Sequence, residues 1–436
     1  MNLLIRNAEI LTCDGNGTAW KRGCMAVQGE KITYVGPDEP AGAFDRVIDG
    51  TDRILMPGLI NCHTHVAMTG MRGFADDLAL QSWLDDWILP TEDRMNGKCA
   101  AVCAGLGMAE MLATGTTSFS DTYFFCDEIA EVVRDSGMKA NLSRSLVHFD
   151  ETAQYDRTCD TRLAEAIALY DRWHNFDHGR IRVDVGVHAE YTSTSVCRRA
   201  AAALADEKGI AAHFHLAETK REQQRCVDYH GKTPTRLFYE DGLLTDRALA
   251  AHGVWLTEED LSLFAETGAC IVHCPVSNLK LASGIAPVTR MTELGIRVAL
   301  GTDSVASNNS HDLFEELKLA AILQKGTTLQ PEILPAGTVL RMATANGARA
   351  QLREDCGVLA AGMDADFILL DVSRPGLYPH HDTASAAVYS ARGSDVCMTA
   401  VRGRILYENG EFTTLDVEKL RAEMEHTVRP AMFPEA

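Results

Sequence analysis

The sequence predicts an α/β protein: a (β/α)8 barrel of the TIM type with a small β-sandwich built from both termini. Between residues 54 and 303, eight strand-like segments alternate with helix-like segments, which favours a closed parallel barrel over a doubly wound sheet. Short β-type runs separated by turns that contain Gly or Asp occupy both ends of the chain. No glycine-rich turn carries a dinucleotide-binding fingerprint or a phosphate loop.

The strand-like runs at the two ends define the smaller predicted domain. They cover residues 3–11, 25–28 and 32–35 near one end and 366–370, 386–389, 398–402 and 404–407 near the other. Two short β-rich segments that flank a long α/β segment indicate one discontinuous domain. We therefore predict three units: a β-sandwich of residues 1–55 plus 358–414, a barrel of residues 56–357, and a C-terminal helix and tail, residues 415–436, that pack on the barrel.

The barrel strands follow from the apolar runs of the middle segment. They are predicted at residues 54–63, 116–121, 139–147, 181–188, 211–216, 248–256, 269–274 and 298–303. Stretches with the helical period lie between them, for example at residues 97–114, 129–136, 161–173, 195–208 and 258–266. The C-terminal ends of the strands of such a barrel form one rim, and active sites lie at that rim.

The composition excludes several classes of partner. The chain has 436 residues, of which 46% are hydrophobic and 23% charged, as in ordinary globular proteins. Its formal net charge of −20 argues against nucleic acid or an anionic membrane surface but not against a small nucleoside. The thirteen cysteines have no framework spacing and the N-terminus has no signal-peptide pattern, so we expect reduced thiols and a cytoplasmic protein. A symmetric homo-oligomer is compatible with a barrel of this size, although no interface is apparent.

Polar side chains recur where the predicted barrel strands end. His63 and His65 close the first strand, and because residues i and i+2 of a strand share a face, both imidazoles can reach one ion. Later strands end in further residues of the ligand or proton-transfer type: His188, His215 with Glu218 three residues on, His252 and Asp303. A single strand histidine is more often a hydrogen-bonded core residue. The convergence of five strands on one rim instead indicates a metal-dependent hydrolase.

The predicted ligands are His63, His65, His215 and Asp303, a set of three nitrogens and one oxygen that leaves room for a water. Zinc is the preferred ion, and Fe²⁺ and Mn²⁺ suit the same ligands. By spacing alone His213 could replace His215, because the two share a face of the strand. We prefer His215, since the deeper position in a barrel normally serves packing.

Two-metal relatives of this layout usually bridge their ions with a modified lysine at the end of strand four. Residues 182–189 contain no lysine, so one divalent ion per chain is expected. Glu218 lies too far along the strand to be the same kind of ligand as His215, and it suits a proton shuttle to a substrate ring nitrogen. Asp303, beside the activated water, can take the proton of that water and deliver it to a leaving group.

These residues belong to motifs that resemble the amidohydrolase superfamily. The matching segments are His63-x-His65 after Pro57-Gly58, His213-Phe214-His215-Leu216-Ala217-Glu218, Ala251-His252-Gly253, Gly301-Thr302-Asp303-Ser304 and the closing Gly357-Val358-Leu359-x-x-Gly362-x-x-Ala365-Asp366. The resemblance covers nearly the full length of the chain. It implies the barrel, the split β-sandwich and metal-dependent hydrolysis.

Within the superfamily, the chain most resembles the 5-methylthioadenosine/S-adenosylhomocysteine deaminases, a group with one metal ion. Three further segments carry this finer resemblance: Trp83-Leu84-x-x-Trp87-x-x-Pro90-Thr91-Glu92, Val187-His188-Ala189-x-Tyr191-Thr192 and Cys274-Pro275-Val276-Ser277-Asn278-Leu279-Lys280-Leu281. They imply that Glu92 binds the ribose hydroxyls, that His188 contacts the nucleoside, and that the third segment lies over the base. Arg144 and Arg162 match by context arginines near the 5′ substituent, and a surface salt bridge explains them equally well.

The reaction implied by this resemblance is hydrolytic deamination at C6 of the adenine ring of 5′-methylthioadenosine, S-adenosylhomocysteine and related adenosines. Glu218 would protonate N1, His252 would orient the attacking hydroxide, and Asp303 would relay its proton to the departing amino group. One alternative is a deaminase of guanine-type bases or pterins, or a triazine chlorohydrolase, of the same superfamily. Another is a non-catalytic scaffold barrel, which the retained ligands disfavour. Glu92 favours a ribose-bearing substrate over a bare base.

Overall fold

The computed structural model describes residues 2–78, 80–150, 152 and 155–434. Eight parallel strands form one sheet in chain order, and nine strands from the two ends of the chain form a second, mixed sheet. The predicted α/β barrel with a smaller β part made from both termini is therefore confirmed. The boundaries drawn between the three predicted units stay predictions, and their residues 1, 435 and 436 lie outside the described residues.

The strands are numbered here in chain order. They are β1 (Asn2–Leu11), β2 (Ala19–Gln28), β3 (Lys31–Gly36), β4 (Arg46–Asp49), β5 (Arg53–Pro57), β6 (Leu59–Thr64), β7 (Thr116–Tyr123), β8 (Lys139–Leu146), β9 (Ile181–Val187), β10 (Ala212–Leu216), β11 (Ala248–His252), β12 (Cys270–His273), β13 (Arg297–Leu300), β14 (Phe367–Asp371), β15 (Val396–Val401), β16 (Arg404–Glu408) and β17 (Glu411–Phe412). Strands β6 to β13 form the barrel sheet. The mixed sheet has the order β17-β16-β15-β14-β5-β1-β2-β3, with β4 paired to β1.

The helices that connect these strands are also numbered in chain order. They are α1 (Leu80–Ser82), α2 (Leu89–Glu92), α3 (Gly97–Ala113), α4 (Cys126–Ser136), α5 (Thr161–Trp173), α6 (Phe176–Gly179), α7 (Ser195–Lys208), α8 (Lys220–His230), α9 (Pro234–Glu240), α10 (Glu258–Thr267), α11 (Pro275–Lys280), α12 (Val288–Glu293), α13 (Val305–Asn308), α14 (Leu313–Thr328), α15 (Ala336–Met342), α16 (Ala345–Ala350), α17 (Thr383–Ser385), α18 (Val417–Glu423) and α19 (Arg429–Met432). Short π-helices cover Trp83–Ile88, Ala386–Ser390 and Met424–Val428, and 3₁₀ turns cover Val66–Met71, Glu190–Thr192 and Gly393–Asp395. In the described ranges, no helix is long and apolar enough to cross a membrane.

The single strand predicted at residues 54–63 is wrong, because the chain changes sheet at Gly58. β5 pairs with β14 in the mixed sheet, whereas β6 pairs with β7 in the barrel. The Gly58 N–H donates to Asp366 O at 3.1 Å, and a Cβ at this position would lie 2.1 Å from Thr117 Cγ2. Only glycine lets the backbone pass this close, so the break between the two sheets is local and sterically determined.

The strand predicted at residues 386–389 is also wrong, since this stretch is the π-helix Ala386–Ser390. The turn before it begins at Asp382, whose carboxylate accepts the Ser385 N–H at 2.6 Å, as an N-cap does. The apolar residues of the stretch are buried in the main hydrophobic core. A short apolar run reads alike as a strand or as a buried helix, so periodicity could not separate the two.

The first and last barrel strands meet through a few side-chain and backbone hydrogen bonds and not through a continuous ladder. Asn61 Nδ2 donates to Thr302 Oγ1 at 2.8 Å, and the Thr302 N–H donates to Asn61 Oδ1 at 3.0 Å. One residue further along, the Asp303 N–H donates to His63 O at 2.9 Å. This closure brings two predicted metal ligands from opposite ends of the barrel sequence to adjacent positions on the rim.

The C-terminal segment contacts the part of the chain that flanks the predicted substrate loop. Arg94 Nε donates to Met432 O at 2.9 Å. The Phe433 ring meets Phe74 with centroids 5.0 Å apart, and Phe74 in turn meets Trp87 at 5.6 Å. These contacts connect the end of the chain with residues 83–92, which carry Glu92.

Candidate active site

The rim of the barrel brings the predicted metal ligands together. His63 lies on β6 and His65 directly follows it, His215 lies on β10 and His252 on β11, and Asp303 follows β13. The ligand atoms of His63, His65 and Asp303 all lie within 4.8 Å of one another, and so do those of His63, His215 and His252. Asp303 Oδ1 is 3.3 Å from His65 Nε2 and 3.5 Å from His63 Nε2.

The hydrogen bonds of His65 and His215 make this cluster fit a cation. His65 Nδ1 lies 2.6 Å from Thr122 O, and His215 Nδ1 lies 2.6 Å from His188 O. Because a carbonyl can only accept, both Nδ1 atoms carry a proton, and in the neutral form of each ring Nε2 then presents a lone pair. These two Nε2 atoms face each other at 3.1 Å. Two lone pairs at that distance require a positive charge between them.

The protonation states of the cluster also suit a cation. It lowers the pKa of His63 to about 4 and that of His215 well below its usual range, so both are neutral at physiological pH. Burial alone would raise the pKa of Asp303, but the neighbouring His63 holds it well below its usual range. Neutral imidazoles and an ionised carboxylate are the forms that bind a divalent metal.

Three donors hold the Asp303 carboxylate in place. Ser277 Oγ–H and Ser307 Oγ–H donate to Oδ2 at 2.6 and 2.9 Å. The Ser304 N–H donates to Oδ1 at 2.7 Å. These bonds orient Oδ1 toward the histidines. Neither serine was predicted to have a role of its own, although Ser277 lies in the matching segment Cys274–Leu281.

Glu218 and His252 form the second pair of the site. Glu218 is buried, accepts from Ser283 Oγ at 3.3 Å and has its Oε2 3.9 Å from His252 Nε2. His252 Nδ1 lies 2.9 Å from Asn278 Oδ1. Burial raises the pKa of Glu218. Burial would lower the pKa of His252, but the carboxylates of Glu218 and Asp303 raise it above its usual value.

A capping box at the start of α8 directs Glu218. Glu222 Oε2 accepts the Glu218 N–H at 2.7 Å, and Oε1 accepts the Ala217 N–H at 2.9 Å. Thr219 completes the box by accepting the Glu222 N–H at 3.0 Å. Ala217 itself has φ 49°, as His252 and Asp303 have φ 75° and 61°. Left-handed backbone at three strand ends is unusual for non-glycine residues and is typical of functional sites.

A cavity of about 710 Å³ opens above these residues and receives four of the five predicted substrate-binding side chains: Glu92, Arg162, His188 and Glu218. Arg144 does not line this cavity. It lines a neighbouring pocket that it shares with Arg162, where its Nε donates to Glu165 Oε2 at 2.7 Å. The structure thus brings the two arginines to one pocket but brings only Arg162 to the cavity of the rim.

Glu92 lies at the end of α2, on the wall of the cavity. The Tyr123 hydroxyl donates to Glu92 Oε1, which leaves Oε2 available to other donors. Burial raises the pKa of Glu92, and the Tyr123 hydrogen bond opposes this effect. Tyr123 was not predicted as a site residue, since its position on β7 has no signal beyond that of a buried strand residue.

The segment expected over the base also contacts the residues of the site from behind. Ser277 and Asn278, on α11, are buried behind Asp303 and His252 and hydrogen bond to them. Only Leu281, at the end of this segment, lines the cavity. The position of this segment over the base therefore stays a prediction, and the contacts of Ser277 and Asn278 add a supporting role for Asp303 and His252.

The geometry agrees with the comparison to known proteins. A model of the amidohydrolase family matches residues 54–406. The chain belongs to the amidohydrolase family. The family match confirms the resemblance that the motifs indicated. It also confirms the predicted class of metal-dependent hydrolase for this amidohydrolase.

Individual relatives of the amidohydrolase match over nearly their whole length. The present chain is 40% identical over 427 residues to a protein of Thermoanaerobacter pseudethanolicus named 5-methylthioadenosine/S-adenosylhomocysteine deaminase, with 98% of each chain covered. It is 41% identical over 415 residues to a 5′-deoxyadenosine deaminase of Methanothermobacter thermautotrophicus, with 95% of each covered. The crystal structure of an adenosine deaminase from Xanthomonas campestris with bound zinc superimposes with a TM-score of 0.93 at 34% identity, covering 99% of this chain and 98% of that one.

Proposed function

We propose that this amidohydrolase deaminates the adenine ring at C6 in 5′-methylthioadenosine, S-adenosylhomocysteine and related adenosines, with an inosine-type product and ammonia. The observation that carries the proposal is the grouping of Glu218, His252 and Asp303 at the base of a cavity whose wall presents Glu92. The first three suit proton transfer at a ring carbon, and the fourth suits a ribose. The names of the relatives support the same substrate class.

The proposed cofactor is one divalent ion per chain, bound by His63, His65, His215 and Asp303. When bound, such an ion acts as a Lewis acid and lowers the pKa of water from about 15.7 to about 7. Zinc is preferred, and the zinc in the Xanthomonas campestris adenosine deaminase supports this choice. Fe²⁺ and Mn²⁺ remain alternatives for the same ligands.

The protein residues divide the proton transfers between them. Glu218, with its raised pKa, donates a proton to N1 and so makes C6 more electrophilic. Water adds to C6, and His252, close to Glu218, orients that water. Asp303 accepts the proton of the water and passes it to the exocyclic nitrogen. The C6–N bond then breaks as the C6–O bond becomes a carbonyl, the remaining hydroxyl proton returns to Glu218, and ammonia leaves.

The rest of the substrate extends along the cavity. We propose that Glu92 accepts hydrogen bonds from the two ribose hydroxyls and that His188 contacts the nucleoside. Arg162 lines the cavity and is the proposed contact of the 5′ substituent. The ion pair of Arg144 with Glu165 supports the alternative salt-bridge explanation for that arginine.

The proposal also includes the setting of the enzyme. The net charge of −20 supports a small-molecule substrate and disfavours nucleic acid. The scattered cysteines support a cytoplasmic location. A homo-oligomer is compatible with a small-molecule substrate and with a cytoplasmic location. Sedimentation at two protein concentrations measures the oligomeric state.

Replacement of Glu92 by alanine is expected to raise the KM for methylthioadenosine about 10- to 100-fold, because a charged hydrogen bond contributes about 1.5–3 kcal/mol. The KM for free adenine, which lacks the ribose, is expected to stay unchanged. Steady-state kinetics with both compounds measures the difference, and Asp86→Ala, an exposed acid in the same segment, is the matched control. An equal loss for both compounds would contradict the ribose contact.

The direct test of the proposal is the ultraviolet spectrum and ammonia release of zinc-loaded protein mixed with methylthioadenosine. We expect the adenine-like absorbance to change to a hypoxanthine-like one, with equimolar ammonia. An unchanged spectrum from protein that holds zinc would refute the proposed substrate class. Guanine, pterins and triazines would then be assayed in the same way.

A further inference from the structure

One of the three histidine ligands has an unusual partner. His65 and His215 each direct Nδ1 at a backbone carbonyl. His63 has no carbonyl there; its Nδ1 lies 2.8 Å from Nε2 of His213. Both rings of this pair are buried. The hydrogen bond that the backbone supplies to two ligands is therefore supplied to the third by a side chain.

The bond to His213 decides which nitrogen of His63 is free. His63 Nε2 faces Asp303 Oδ1 and has no hydrogen-bond partner among the described residues. To bind an ion, this Nε2 must present a lone pair, so the proton of the neutral ring must sit on Nδ1. A buried N–H needs an acceptor. Nε2 of His213 is at the right distance to be that acceptor, and its own proton then resides on Nδ1.

We propose that His213 is a positioning residue of the metal site, which holds His63 in the tautomer that binds the ion through Nε2. The inference rests on the ligand set of the proposed function. A carbonyl oxygen can only accept, whereas an imidazole nitrogen accepts in one tautomer and donates in the other. His213 Nδ1 has no hydrogen-bond partner in the part of the chain that the structure describes, so this ring is free to take the tautomer in which Nε2 accepts the His63 proton.

If His213 served only packing, its loss would affect the barrel in the same way as the loss of any other buried histidine. His273 is such a histidine and allows the packing role to be distinguished from the positioning role. His273, on β12, is equally buried, and both its ring nitrogens lack hydrogen-bond partners among the described residues. It contacts none of the four proposed ligands through a hydrogen bond. Loss of His273 therefore removes a buried histidine from the barrel without removing an acceptor from a ligand.

The test measures zinc affinity by competition with a chromophoric chelator, a readout independent of turnover. His213→Met fills a similar volume without an acceptor oxygen, and we expect it to bind zinc about 10- to 100-fold more weakly. His213→Gln can place an amide oxygen where Nε2 lies, and its loss should stay below about 10-fold. His273→Met is expected to bind zinc like the wild type.

Equal affinity of His213→Met and wild type would overturn the proposal, and so would an equal loss in His273→Met. Absence of zinc binding by the wild type itself would instead refute the metal site of the proposed function. A second measurement needs no variant: histidine ¹⁵N spectra of the zinc-loaded wild type distinguish protonated from bare ring nitrogens. We expect His213 to be protonated at Nδ1 and bare at Nε2, and the opposite pattern would refute the tautomer.

Discussion

Glu218→Gln is expected to lower kcat for methylthioadenosine by about 10²- to 10⁴-fold, the usual contribution of a general acid or base. Glutamine has the shape of glutamate but cannot transfer a proton. The backbone at this position is held by Glu222 and not by the Glu218 side chain, so the turn should persist. Zinc content should also persist, because the four proposed ligands are unchanged. Stopped-flow absorbance and metal analysis of the same sample measure both.

The control for this change is Glu259→Gln, an exposed glutamate on α10, which should leave kcat unchanged. Turnover of Glu218→Gln within a few fold of the wild type would show that another group protonates the ring. A parallel loss of zinc would show instead that Glu218 supports the metal site and would contradict its role as a shuttle.

Removal of the metal by a chelator is expected to lower activity below about 1% of its starting value, since Lewis-acid activation accounts for several kcal/mol. Titration with zinc should restore activity in proportion and reach a plateau at one equivalent per chain. The physical reason is the set of lone pairs on His63, His65 and His215, which no protein group satisfies as well as a cation. The Tm of the metal-free protein should fall, because zinc binds the native state.

Each part of this titration has an outcome that contradicts it. Full activity in protein shown to be metal-free would exclude a metal-dependent reaction. A plateau at two equivalents would contradict a single ion and the argument from the missing lysine. Equal reactivation by Fe²⁺ or Mn²⁺ and by zinc would leave the ligand set intact but would remove the preference for zinc.

The fold could be predicted, and a ligand set could be proposed, because both depend on short-range patterns. Alternating strands and helices specify a parallel barrel, and the topology of a parallel barrel places every strand's C-terminal end on one rim. Residues as distant in the chain as His63 and Asp303 could thus be assigned to one site without any knowledge of their distance. The same argument predicted Glu218 and His252.

Other features were settled only by the tertiary structure. The change of sheet at Gly58 depends on the close approach of Thr117, and the helix at Ala386–Ser390 depends on the core that it fills. The choice of His215 over His213 was supported by the contact of His213 with His63 Nδ1, which spacing along one strand cannot reveal.

The sequence by itself determined the barrel, its rim and the types of side chain that meet there, because periodicity and residue chemistry are local properties. The tertiary structure alone decided which atoms face each other. Ser277 and Ser307 reach Asp303, Asn278 reaches His252, and Tyr123 reaches Glu92. These partners come from other strands and helices, and a hydrogen bond exists only where packing brings a donor within about 3 Å of an acceptor.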